Sequence, residues 1–342
     1  MKELRSHNKL CGLGRFFSKV QFMRRVVQLL LVLAVLGAAS HFALTRTIDG
    51  TRPTGLSIIE EPKNPWTKKE LNNKPDSFQF AIVTDRTGGH RPGIFQKAVD
   101  RINMLQPEFV VSVGDLIEGY SEDPGAWALE WAEFESHINS LQMPFFLCVG
   151  NHDTSNVPMS NEWKRKFGRT YYHFRYRDCL FLVLNSEDPP CTKEIDFQFS
   201  EAQQRWVAQT LAENKDVRWT YVFMHKPTWT SPNADLVKLG WQSIEDSLQG
   251  RKYTVFAGHK HEYAKFIRKG MEYYMLATTG GASKLTGIAD GRFDHFVWVT
   301  MKDERPVIAN ILLEGVESSD VRRAPVPVVA PTKSPAPAPA KK

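Results

Sequence analysis

Apolar runs and turn residues alternate through the middle of the chain. Phe78-Gln79-Phe80-Ala81-Ile82-Val83 stops at Thr84-Asp85-Arg86 and predicts a buried strand. From Gly93 to Gln106, apolar residues recur at Ile94, Phe95, Ala98, Val99, Ile102 and Leu105, the spacing of one helical face. Phe109 to Val113 predicts a second strand, ending at Gly114-Asp115. Trp127 to Leu141 predicts a second helix, with Trp127, Trp131 and Phe134 as core. The run Pro144 to Val149 predicts a third strand, ending at Gly150-Asn151-His152-Asp153. A β-α-β-α-β succession argues for parallel strands joined by right-handed crossovers.

The habit continues downstream. Tyr172 to Tyr176 and Cys179 to Leu184 read as a hairpin around Arg177-Asp178. Ser200 is placed to cap a helix running through Trp206 to Leu211, with Glu201 in its first turn. Trp219 to Met224 predicts a strand ending at His225, and Tyr253 to Ala257 one ending at Gly258-His259-Lys260-His261. Tyr273 to Ala277, Phe296 to Thr300 and Pro306 to Leu312 complete the set. Lys164-Arg165-Lys166 reads as a solvated helix face. The folded domain is thus expected over residues 76–315, followed by a Pro/Ala-rich tail over 316–342 with no capacity to build a core.

The N-terminal part differs in kind. Residues 1–25 are basic, and 26–44 form an apolar run without a charged residue, which predicts a signal anchor or signal peptide. The basic flank orients the N-terminus to the cytoplasm and sends the body to the extracytoplasmic side, tethered to the membrane. Residues 45–75 are polar, with Pro53, Pro62 and Pro65, and read as a linker. Hydrophobic content of 42% and charged content of 24% are globular values. The formal charge of +6 comes from the ends. Without 1–25 and 322–342 the chain holds 32 basic against 37 acidic residues, so a basic body for nucleic-acid binding is not supported. Cys148 sits in an apolar run as a small core residue, while Cys179 and Cys191 can pair in an oxidising compartment.

Five strand ends carry chemistry: Asp85, Asp115, Asn151-His152-Asp153, His225 and His259-Lys260-His261. Each follows an apolar run directly, so each should emerge at the same edge of a sheet. Singly, each is ordinary turn or structural chemistry. Together they supply two carboxylates, an amide oxygen and three imidazoles, with His152 left over. That mixture suits a pair of borderline divalent cations such as Fe, Mn or Zn, and has too few carboxylates for a Ca²⁺ cage.

The succession resembles the calcineurin-like metallophosphoesterase superfamily, which includes the purple acid phosphatases. Its Asp motif, Gly-Asp, Gly-Asn-His-Asp/Glu, lone His and Gly-His-x-His are matched in order by Asp85, Gly114-Asp115, Gly150 to Asp153, His225 and Gly258 to His261. The resemblance spans about residues 78 to 312 and implies an α/β fold, a β-sandwich of two mixed sheets flanked by helices in α/β/β/α layers. It implies metal-dependent hydrolysis of a phosphate ester by a hydroxide held on a dinuclear centre. Asp85 and His261 would hold one metal, Asn151, His225 and His259 the other, with Asp115 bridging. His152 would assist the leaving group and Asp153 would orient His152.

Two positions depart from that pattern. Thr87 stands where the usual Asp-x-His has its His, and Glu118 stands at a position often occupied by Asp, Asn or Tyr. The first metal is therefore expected to be weaker, with His90, Thr87 or Tyr120 as replacement ligands. Arg86 is a candidate for binding substrate phosphate through its planar donor fork, or else forms a surface ion pair. The alternative reading is a membrane-tethered, non-catalytic binding module on a degenerate phosphoesterase fold.

Overall fold

Alternation along β1 (Phe78–Val83) divides its side chains between two cores. Phe78, Phe80 and Ile82 enter an aromatic-rich layer between two sheets, while Ala81 and Val83 face helices. The computed structural model describes residues 72, 74–188, 197–231 and 235–315. The chain separates into two units, Met1–Asn73 and Lys74–Lys342, and almost all described residues lie in the second.

The elements follow in chain order. β1 leads to α1 (Ile94–Leu105), β2 (Val110–Ser112), α2 (Pro124–Ile138), β3 (Phe145–Phe146) and α3 (Val157–Phe167). Then come β4 (Tyr172–Tyr176), β5 (Cys179–Val183), β6 (Glu187–Asp188), β7 (Gln198–Phe199), α4 (Glu201–Glu213) and β8 (Trp219–Phe223). The last elements are α5 (Trp241–Ser247), β9 (Tyr253–Ala257), β10 (Ala264–Arg268), β11 (Met271–Met275), β12 (His295–Lys302) and β13 (Arg305–Leu312).

One sheet has the order β13-β12-β1-β2-β3, with β1, β2 and β3 parallel as expected. The other has the order β10-β11-β9-β8-β5-β4, with β5, β8, β9 and β11 parallel. Residues one apart on β5 and β8 again split. Phe181, Val183, Tyr221 and Phe223 join the layer between the sheets, and Leu180, Leu182 and Val222 pack outward with Val207 of α4 and Ile244 of α5. On the opposite outer face, α1, α2 and α3 cover the first sheet through Phe95, Trp131, Phe134 and Trp163. The result is the α/β/β/α layering. The aromatic centre is tight, with Phe80 and Phe109 stacked at 5.2 Å and Phe174 and Phe181 at 4.6 Å between centroids.

Several boundaries differ from the sequence expectation, each for a local reason. β3 holds only two residues, because after Phe146 the chain leaves the ladder and the Cys148 N–H donates to Ser112 Oγ at 2.8 Å. α2 starts at Pro124, where Asp123 accepts from the Gly125 N–H and proline costs no hydrogen bond. β11 begins two residues earlier than the apolar run, at Met271. β10 is an edge strand whose Lys265 and Arg268 hide its pattern. The hairpin at Arg177-Asp178 is as read, with both residues at positive φ. Ser200 caps α4 by accepting from the Gln203 N–H.

Cys179 carries a free, buried thiol, and Cys191 lies outside the described residues. So do the apolar segment 26–44 and the tail 316–342. Among the described residues no helix is long and apolar enough to cross a membrane.

Candidate metal centre

The five motif-bearing ends do not share one sheet edge. Asp85, Asp115 and Asn151 follow β1, β2 and β3 of the first sheet, whereas His225 and His259 follow β8 and β9 of the second. Stacking of the sheets brings both sets of carboxyl ends to one pole, where a hydrogen bond from His225 Nδ1 to the Val113 carbonyl, 2.9 Å, joins them. The centre is therefore built between two sheets.

That bond also fixes the imidazole. With the Nδ1 proton donated to Val113, Nε2 of His225 faces Asn151 Oδ1 at 2.8 Å, Asp115 Oδ2 at 3.1 Å and His259 Nδ1 at 3.2 Å. Four donor atoms from four strand ends converge on one buried place. A second convergence lies alongside, where His261 Nε2 is 3.4 Å from Asp85 Oδ1 and Asp115 is again within reach. Asp115, His225 and His259 form one cluster and Asp85, Asp115 and His261 the other, with Asp115 shared. His261 is aimed by its Nδ1, which donates to the Ala282 carbonyl at 2.7 Å. His259 is placed by its backbone N–H, which donates to Asp85 Oδ1 at 2.7 Å.

Tight backbone makes this possible. A Cβ on Gly150 would collide with Asp115, and one on Gly258 with the Asp85 carboxylate. Asp115, His259 and His261 themselves adopt positive φ, a strained conformation that residues hold where surrounding structure imposes it.

The electrostatics are those of a centre that calls for positive charge. Burial would depress His225, but the Asp115 and Asp85 carboxylates outweigh it and raise its pKa to about 9. Burial would raise Asp85, yet its bond to His261 and the nearby His225 bring it down to about 2. Burial and the His225 charge push His259 down to about 2, leaving its imidazole neutral and able to ligate. The donor set fits two borderline ions: an oxygen- and nitrogen-rich group, one shared carboxylate, and imidazoles whose other nitrogens are already committed.

His152 stands at the rim. Its Nδ1 donates to the Glu118 carbonyl, which leaves Nε2 facing the centre, 3.9 Å from Asp115 Oδ2. The Tyr120 ring packs edge-on against it at 4.8 Å. Asp153 does not orient His152. Its buried carboxylate accepts from the N–H groups of Gly150, Asp115, Leu116 and Ile117 at 2.8 to 3.2 Å, and so ties the second and third motifs together. Burial and the Asp115 charge raise its pKa to about 7 against the pull of those amides.

Of the two readings of Arg86, the structure carries the ion pair, in buried form. Its guanidinium is buried, donates to the Leu116 carbonyl at 2.8 Å and pairs with Glu133 of α2 at 2.7 Å, so it braces the loop and does not face the centre. No replacement for the missing first-site His comes from the three residues considered. The Thr87 hydroxyl is committed to the Asp115 and Ile117 carbonyls. His90 lies toward Glu133, and the Tyr120 hydroxyl meets Asn151 Nδ2 at 3.0 Å on the other site's side. Glu118 accepts from the Gly89 and His90 N–H groups and holds the loop closed. Gly88 then runs so near the centre that a Cβ there would lie 3.0 Å from His261 Cε1 and 3.4 Å from His152 Nε2.

Sequence reasoning missed the buried Lys226–Glu187 pair next to His225. A lysine following a ligand-bearing strand end was its only signal.

These features define a metal-assembling phosphoesterase fold, and comparison with known proteins agrees. Residues 78–263 match the family model for calcineurin-like phosphoesterases, and the chain belongs to that family. It is accordingly a hydrolase acting on phosphoric ester bonds. It is 30% identical over 274 residues to the rat (Rattus norvegicus) serine/threonine-protein phosphatase CPPED1, covering 71% of this chain and 84% of that one. The probable purple acid phosphatase 20 of Arabidopsis thaliana is 24% identical over 188 residues, 46% of this chain and 42% of that one. Purple acid phosphatase PPD1 from yellow lupin shares the fold with a TM-score of 0.54 at 13% identity, covering 70% of this chain and 52% of that one. A dimetal phosphatase from Danio rerio does so with a TM-score of 0.51 at 16% identity, covering 69% and 96%.

Proposed function

We propose that the chain hydrolyses phosphate esters at a two-ion centre held by Asp85, Asp115, Asn151, His225, His259 and His261. The observation that carries this is the pair of donor clusters sharing Asp115. When bound, such ions supply Lewis-acid activation of the phosphoryl group and of the attacking water. Fe, Mn or Zn suit the donors. The first site, with Asp85, Asp115 and His261 and no ligand from Thr87, is the weaker.

The protein groups divide the remaining work. His152, its Nδ1 held by the Glu118 carbonyl, presents Nε2 to the leaving oxygen and donates a proton there when charged. Asp153 keeps the Asp115 and Gly150 amides in place, so the bridging carboxylate and the third motif hold one geometry. Glu118 and Arg86 fix the loop that closes over the centre. The relatives' name makes phosphoserine and phosphothreonine esters a substrate class to test.

Metal content and hydrolysis of p-nitrophenyl phosphate and bis(p-nitrophenyl) phosphate test the reading. Hydrolysis that needs metal and falls in His152→Asn, with metal retained, supports it. No hydrolysis with any of Mn, Fe or Zn overturns it in favour of a binding module. The body works on the extracytoplasmic side, tethered through 26–44, a reading supported by the apolar run and its basic flank. Release of the protein from membranes by alkaline carbonate would sink that part.

A further inference from the structure

Tyr120 holds a conformation that its packing does not repay. A bulky side chain at φ 50° is uncommon, and this one is 64% exposed, so no core contact compensates the strain. The chain is fixed there from several directions. The Tyr120 N–H donates to Ser155 Oγ at 3.0 Å, and the Gly119 N–H to Glu130 Oε2 at 3.0 Å. Gly119, at φ 60°, runs so close to the His152 carbonyl that a Cβ there would collide with it. Strain imposed by the surroundings, away from the core, points to function.

The side chain shows what is served. Its hydroxyl oxygen accepts from Asn151 Nδ2 at 3.0 Å, and the other end of that amide, Oδ1, lies 2.8 Å from His225 Nε2. Only the width of one amide group separates the hydroxyl from the atoms that converge on His225. The ring packs against the His152 ring at 4.8 Å between centroids, beside the imidazole that faces the centre. A phenol both accepts and donates. Here the oxygen accepts from Asn151, and among the described residues the phenolic proton meets no acceptor. On a distant surface turn water would take that proton and nothing would follow. At this rim the centre itself brings phosphoryl oxygens, which are strong acceptors.

We propose that Tyr120 is a further substrate-binding residue, whose hydroxyl, steadied by Asn151, donates to a non-bridging oxygen of the phosphate ester. The proposal rests on the hydrolytic reading above and adds a contact to it. An O–H donated to a charged phosphoryl oxygen is among the stronger hydrogen bonds. That oxygen is already charged in the bound ester, so the contact is made in the ground state and the transition state alike. Its loss should therefore raise KM and spare kcat. His152 differs, because its proton is needed only as the leaving oxygen departs.

Tyr120→Phe keeps the ring and removes only the hydroxyl, at an exposed position; metal content and melting temperature verify that the protein is otherwise intact. In the metal-loaded variant, KM for p-nitrophenyl phosphate should rise about tenfold with kcat within about twofold of wild type. Calorimetric binding of inorganic phosphate should weaken by the same factor, about tenfold. An unchanged KM and phosphate affinity overturn the proposal. Loss of metal, or a fall confined to kcat, overturns it too, because a role exercised through Asn151 alone would act on the second ion. Should wild type hydrolyse neither p-nitrophenyl phosphate nor its bis ester, the hydrolytic reading fails and phosphate binding decides alone. Binding about tenfold weaker in Tyr120→Phe then keeps Tyr120 as a phosphate-binding group, and equal binding, or none by wild type, overturns it.

Discussion

Nε2 of His225 stands 2.8 Å from Oδ1 of Asn151, an imidazole from one sheet facing an amide from the other. Neither residue has another element to replace it. His225→Ala should therefore abolish the second ion while leaving the Asp85, Asp115 and His261 group intact. Metal analysis after dialysis should show about half the wild-type content, with hydrolysis down at least about a hundredfold. Full metal content in the variant would contradict the assignment.

His152 touches the centre without belonging to either donor cluster. His152→Asn should keep both ions and lose roughly a hundred- to a thousandfold in kcat, the scale of one general acid. Loss concentrated in KM would instead mark His152 as a binding group.

Asp153 accepts four backbone N–H groups with a single carboxylate. In Asp153→Asn one oxygen becomes an NH₂ group that meets N–H donors head on. Unfolding in urea should show a loss of about 2–4 kcal/mol, with weaker metal retention through the displaced Asp115. A variant as stable as wild type would refute this role.

Restoring the usual first motif should not help. Thr87 is fully buried and its hydroxyl is spent on two carbonyls, so a histidine there has no path to the centre. Thr87→His should cost about 1–3 kcal/mol by overpacking and bind the first ion no more tightly. Tighter binding by calorimetry would show that the loop reorganises.

His295 sets a pH limit on stability away from the rim. Its Nδ1–H donates to Asn310 Oδ1 and its Nε2 accepts from the Ala277 N–H, which leaves no place for a second proton. Burial lowers its pKa to about 4, below the unfolded value of 6.5. The unfolded chain therefore binds the extra proton first, and the contribution of neutral His295 is complete above pH 6.5 and lost as pH falls toward 4. The loss should be roughly 3 kcal/mol. His295→Gln should flatten that part of the stability profile, and an identical slope in both proteins would contradict it.

The sequence by itself determined the strands that lead into the centre, because buried parallel strands are short apolar runs and each of these ended at a turn residue with a donor atom, while the short β6 and β7 and the charged edge strand β10 left no such pattern. Order and spacing of Asp85, Asp115, Asn151, His225, His259 and His261 carried the family resemblance, whereas the division of Phe78, Phe80 and Ile82 from Ala81 and Val83 between two cores came with the packing of the sheets. What it could not determine was which neighbours the polar groups would find. Asp153 looked like the partner of His152 by adjacency, yet a turn directs consecutive side chains apart, and four amides from two loops claim the carboxylate. Arg86 stood open between a phosphate ligand and an ion pair, and α2 decides it by bringing Glu133 within 2.7 Å. The Lys226–Glu187 pair joins residues 39 apart in sequence and shows no local pattern. Local propensity fixes where a strand ends. Only packing of the two sheets decides what stands opposite it.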